Sequence, residues 1–170
     1  MSYGIKNYYI IVNGIFKVYR TSEGFYNYGR CFSFVEAETP KALLAEAHEA
    51  LRAARYELKE AVQAGDVIKL RKACEAAWLA AVKAINALLA SSGLGPGESH
   101  RDRRDKLRQL EEAEPEIARL GLRDRYMARM GYLHVDGFYE GTLSPEEAEE
   151  QMDKVEELIG DVEALLKKIA

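Results

Sequence analysis

The chain has 170 residues, a formal charge of −4 and two cysteines, a size at which one domain, with or without a small appendage, buries roughly 70% of its unfolded surface unaided. Cys31 and Cys74 show neither CxxC spacing nor a paired framework, which excludes a disulfide scaffold and reads as two buried thiols. No uninterrupted apolar run approaches the roughly 20 residues of a membrane span, and the N-terminal apolar stretch is too short for a signal peptide, so the expectation is a cytoplasmic protein without membrane contact.

Ten of the sixteen aromatic residues precede Val35, in company with Ile10, Ile11, Val12, Ile15 and Val18, which is strand composition. Asn13-Gly14 lies between KNYYIIV and IFKVYR and supplies the positive φ angles of a two-residue hairpin turn. A second turn near Ser22-Glu23-Gly24 leads to FYNYGRCFSFV, whose alternation predicts a third strand. A three-stranded antiparallel β-meander over residues 1–36 is expected. It is too small to stand alone, so its aromatic face needs a cover.

Helical signals take over from residue 39 onward. Thr39-Pro40 reads as an N-cap and first helical residue, followed by Leu43, Ala47, Leu51, Ala54, Leu58 and Val62 on one face as far as Gly65. Asp66 caps a second helix whose wide apolar face, from Leu70 through Trp78 to Leu89, suits a central position. The Gly-Asp link makes these two an antiparallel hairpin. SSGLGPG breaks the pattern, Ser99 caps a basic helix, Pro115 starts a short one, and LRDRYMARMGYLHV runs toward Gly137. Ser144-Pro145-Glu146-Glu147 opens the last helix with a capping box, and Ala148, Met152, Val155, Ile159, Val162, Leu166 and Ile169 form one seam. The fold class is therefore mainly α, an antiparallel four- to five-helix bundle over residues 39–170 behind the meander.

Charge is uneven. Arg101, Arg103, Arg104, Lys106 and Arg108 face only Asp102 and Asp105 in the basic helix, while the stretch from Glu140 to Ala170 holds ten acids and three lysines. At the start of the basic helix, Ser99, His100, Arg101 and Arg104 form a candidate anion-binding group near exposed amides. Farther on, Arg129 precedes His134 by five residues, so both project from adjacent turns and could reach one phosphate. A neutral imidazole there could take a proton from a ribose hydroxyl without a metal, with Tyr139 donating a hydrogen bond. The three histidines, His48, His100 and His134, lack HxxxH or HExxH spacing, and GLGPG has no phosphate-loop ending. Neither a metal nor a cofactor is expected.

GDVIKLRKACEAAWLAAVKAINALL, then a Gly-rich break, SHR at 99–101 and LHVDGFYEG ahead of an acidic last helix resemble the archaeal PaREP-type helical family from about Thr39 onward. That family is similar to the HEPN (higher eukaryotes and prokaryotes nucleotide-binding) superfamily, and the resemblance implies an up-and-down bundle. Many HEPN proteins carry an arginine, four to six residues, then a histidine as a metal-independent ribonuclease motif, which Arg129 and His134 match. A polar residue usually follows that arginine, where this chain has Met130. The preferred expectation is a non-catalytic binding or dimerisation module, homodimeric, with RNA, a nucleotide or another protein as partner. The alternative is an endoribonuclease using Arg129, His134 and Tyr139.

Overall fold

The computed structural model describes residues 8–12 and 15–19 through their backbone, and 39–169. The chain divides into two units, residues 1–38 and 39–170. In the first, β1 (Tyr8–Val12) pairs antiparallel with β2 (Ile15–Tyr19), Tyr8 opposite Tyr19 and Val12 opposite Ile15. Asn13-Gly14 and the expected third strand, 25–35, lie outside the described residues. Two paired strands are therefore described, and the three-stranded meander is not supported.

The second unit is helical throughout, and its boundaries follow the sequence caps. Helix α1 (Pro40–Ala64) starts where the Ala42 amide donates to Thr39 Oγ1 and ends on Gly65, whose φ of 62° is left-handed. The Lys69 amide donates to Asp66 Oδ1 to begin α2 (Val67–Ser91). Lys83 pairs with Glu46 at 2.6 Å and Lys69 with Glu60 at 3.9 Å, so the two helices run antiparallel. There follow α3 (His100–Ala113), α4 (Pro115–Leu120) and α5 (Leu122–Arg129). Helix α6 (Pro145–Ile169) opens with the expected capping box, since the Ser144 amide donates to Glu147 and the Glu147 amide to Ser144 Oγ.

Helix α2 is the hub. It packs against α1, α3, α5 and α6, and Cys74, Ala77, Ala81, Ile85, Leu88 and Leu89 along it are fully buried. It is long and apolar enough to cross a membrane, but 72% of its most apolar window is already covered by the rest of the unit. One expected core position changes, and one polar residue joins the core unannounced. Val62 is 54% exposed and the neighbouring Ala61 takes its place, while Gln151 is a buried polar residue within the α6 seam.

The main departure from the sequence reading follows α5. Instead of stopping near Gly137, the helix continues as a π-helical segment, Met130–Glu140, with its hydrogen bonds reaching one residue farther back than in an α-helix. Such winding is rare at this length, so contacts outside the segment must favour it. Gly137 is pressed so close to α2 that a Cβ there would lie 2.8 Å from both Cβ and Sγ of Cys74. Arg71 donates to the carbonyls of Phe138 (2.7 Å) and Tyr139 (2.6 Å), putting a cation at the helix C-terminus. Gly141, with φ of 69°, then turns the chain away.

These contacts make one glycine irreplaceable and its neighbour indifferent. Gly137→Ala is expected to destabilise the unit by about 1–3 kcal/mol through overpacking, whereas Gly131→Ala, with nothing within 4 Å of its added Cβ, should be neutral or stabilising. Thermal denaturation of the two variants checks the pair, and equal melting temperatures would contradict the close approach.

Candidate functional site: a ring cluster on the central helix

The wide winding of the π-helical segment lets residues four and five positions apart share a face. His134 stacks on Phe138, with ring centroids 6.3 Å apart, and meets Tyr139 edge-on at 5.0 Å. On the opposite side His134 lies 5.9 Å from Trp78 of α2 and 5.4 Å from His100, the first residue of α3. Trp78 also contacts His100 and Tyr126, at 5.5 and 4.9 Å. Four elements thus contribute rings to one cluster. Tyr126 and Trp78 are buried, His134 is partly covered, and His100 and Tyr139 are exposed.

One carboxylate orders the cluster. Glu75 Oε2 lies 2.6 Å from His134 Nδ1, a distance at which an ionised carboxylate accepts a hydrogen bond from an Nδ1–H and so favours the proton on that nitrogen. His100 has no such carboxylate. Its Nδ1 lies 3.5 Å from the Tyr126 hydroxyl, and partial burial, then the proximity of His134 and Arg103, hold its pKa below the ordinary histidine value. Burial pushes the Tyr126 phenol up, against the pull of the Arg103 guanidinium beside it. Arg103 is itself fixed, because its Nε donates to Asn86 Oδ1 at 3.0 Å and the Gly97 amide donates to the same buried oxygen.

The structure sorts the candidate residues. His134 and Tyr139 come together, and His100 joins them from another helix. Ser99 caps α3 by accepting from the Asp102 amide, Arg101 points to solvent beside Asp105, and Arg104 is exposed. Arg129 sits elsewhere. It is 6% exposed, its Cζ lies 5.9 Å from the Tyr132 ring, and burial followed by the nearby Arg125 lowers its pKa, against Tyr132, Glu150 and Glu157. Arg129 and His134 thus have no partner in common among the described residues. Trp78 was expected in the apolar face of α2 and Arg103 in the basic helix, but neither they nor Glu75 were expected in a site. The available signal was Glu75, which with Lys83 is one of two charged residues between Cys74 and Leu89.

Two open grooves lie away from the cluster, one of about 460 Å³ between Leu94, Leu110, Ile117 and Leu165, the other of about 240 Å³ beside Val62, Val67 and Pro145. Among the described residues no group of three or more histidine, cysteine or acidic side chains could hold a metal ion.

Fold and cluster together define a helical-bundle protein whose central helix carries a polar aromatic face. The chain belongs to the archaeal PaREP1/PaREP8 family, whose model matches residues 43–159 and so takes in the whole cluster. No curated protein and no solved structure matches it.

The orienting role of Glu75 can be read directly. Two-bond ¹⁵N–¹H spectra are expected to show neutral His134 protonated at Nδ1 in the native protein, and Glu75→Ala should shift the proton toward Nε2. An unchanged tautomer in the variant would show that the carboxylate does not set it.

Proposed function

We propose that the chain is a non-catalytic cytoplasmic binding module, of the nucleotide-binding kind that the HEPN resemblance implies, and that its ligand is a phosphate-bearing nucleotide, free or within single-stranded RNA. The observation that carries this reading is the half-open ring cluster around His134, in which the exposed Tyr139 stands edge-on to an imidazole held by Glu75. Exposed rings stack on bases irrespective of sequence. Imidazole edges beside them can hydrogen-bond a phosphate or sugar hydroxyl. The net charge of −4 leaves little long-range attraction for a polyanion, so recognition has to rest on such local contacts. Cleavage by an Arg129–His134 pair is not part of the proposal, because Arg129 is buried among Tyr132, Arg125 and the α6 acids and not beside His134.

Fluorescence anisotropy with a labelled single-stranded RNA, and displacement by AMP, tests the reading. Since a stacked base is worth roughly 1–3 kcal/mol, Tyr139→Ala and His134→Ala should each weaken binding by about 5- to 150-fold while leaving the helical content intact. Equal binding by the native protein and both variants, or no binding of either ligand, would overturn it.

A further inference from the structure

The two imidazoles at the cluster are unequal, and their difference bears on how a ligand is taken up. His134 faces a carboxylate, Glu75 of α2. His100 faces a phenol, Tyr126 of α5, a guanidinium, Arg103 of its own helix, and the second imidazole, His134 of the π-helical segment, while the charge of Glu75 of α2 acts on it more weakly and in the opposite sense. Charge on His100 is opposed from two further directions. With the rings 5.4 Å apart, a proton on one discourages a proton on the other. His100 is also the first residue of α3, where the positive end of the helix dipole disfavours a cation and favours an anion. Arg103 Nε and Arg71 are hydrogen-bonded to neutral oxygens, those of Asn86 and of the Phe138 and Tyr139 carbonyls, and so keep their charge. A phosphate drawn toward them would lie beside the imidazoles and favour a proton on one of them.

We propose that the cluster binds its phosphate-bearing ligand together with one proton, and that His100 carries that proton. The inference rests on the binding reading above. In the free protein partial desolvation, then His134 and Arg103, hold the His100 pKa below the ordinary histidine value, against the pull of Glu75. A phosphate oxygen beside the exposed ring reverses that balance and raises its pKa. The bound state then holds more protons than the free state between the two values, so affinity rises as pH falls through this window. The slope approaches tenfold per pH unit where a whole proton is taken up. Tyr126 suits either state, because its hydroxyl can donate to a neutral Nδ1 or accept from a protonated one.

Isothermal titration with AMP in two buffers of different ionisation enthalpy, between about pH 6 and pH 8, counts the net protons, and the difference between the native protein and His100→Gln removes those taken up by the ligand's own phosphate, whose second pKa is about 6. Adenosine and inorganic phosphate serve as the two halves of the ligand. Native protein is expected to take up protons with AMP and with phosphate but not with adenosine, and to bind AMP more tightly at the lower pH. His100→Gln should keep its helical content by circular dichroism, lose most of the proton uptake, and show a flattened pH profile with AMP. AMP binding without proton uptake, or undiminished uptake in His100→Gln, would overturn the inference and leave the binding reading standing. Failure of AMP, adenosine and RNA alike to bind would overturn both.

Discussion

The seating of the π-helical segment on α2 is the constraint from which the site follows. Gly137 lies where no side chain could stand against Cys74, and Arg71, one turn earlier on α2, holds the Phe138 and Tyr139 carbonyls. Between them these contacts fix both the depth and the end of the segment. Positions 134, 138 and 139 then share a face, and that face meets Glu75 and Trp78, which follow Cys74 on α2 within the next turn. An α-helix through the same residues would carry Tyr139 around the axis away from His134. The cluster is thus a consequence of backbone winding and not only of residue choice.

Polar ties at the other end of the cluster are equally specific. Gly97 admits Arg103 at a distance no Cβ would allow, and Asn86, a buried amide in an otherwise apolar part of α2, accepts from both. A buried acceptor with two donors is well satisfied, and removing it would strand both. Arg129 illustrates the opposite condition. Its Nε is buried without a hydrogen-bond partner, as is Gln151 Oε1 on α6. A buried donor left without an acceptor is costly, and the charges of Glu150 and Glu157 offset part of the cost of burying the guanidinium.

Much of the bundle was legible in the sequence because its signals are local. Thr39, Asp66, Ser99 and Ser144 each cap the helix they were expected to cap, and Gly65 ends α1 in the left-handed region. Apolar spacing located most of the core, with Val62 the exception at the exposed tip of α1. The π-helical segment was not legible, since its cause is a contact between Gly137 and Cys74, 63 positions apart. For the same reason the site was half seen. His134, Tyr139 and His100 stood out as chemistry-bearing residues, but the pairing of His134 with Arg129 rested on proximity along the chain, whereas its partner in space is Glu75 on another helix.

Two imidazoles, one of them bonded to Glu75, lie against the Trp78 ring. Trp78 is the chain's one tryptophan, with His100 and His134 centred 5.5 and 5.9 Å away, so its emission reports directly on them. An imidazolium quenches indole fluorescence at this range. Emission is expected to fall on acidification between about pH 8 and pH 5, and by less in His100→Gln. A native curve that is flat across this range, or one unchanged in His100→Gln, would contradict the arrangement.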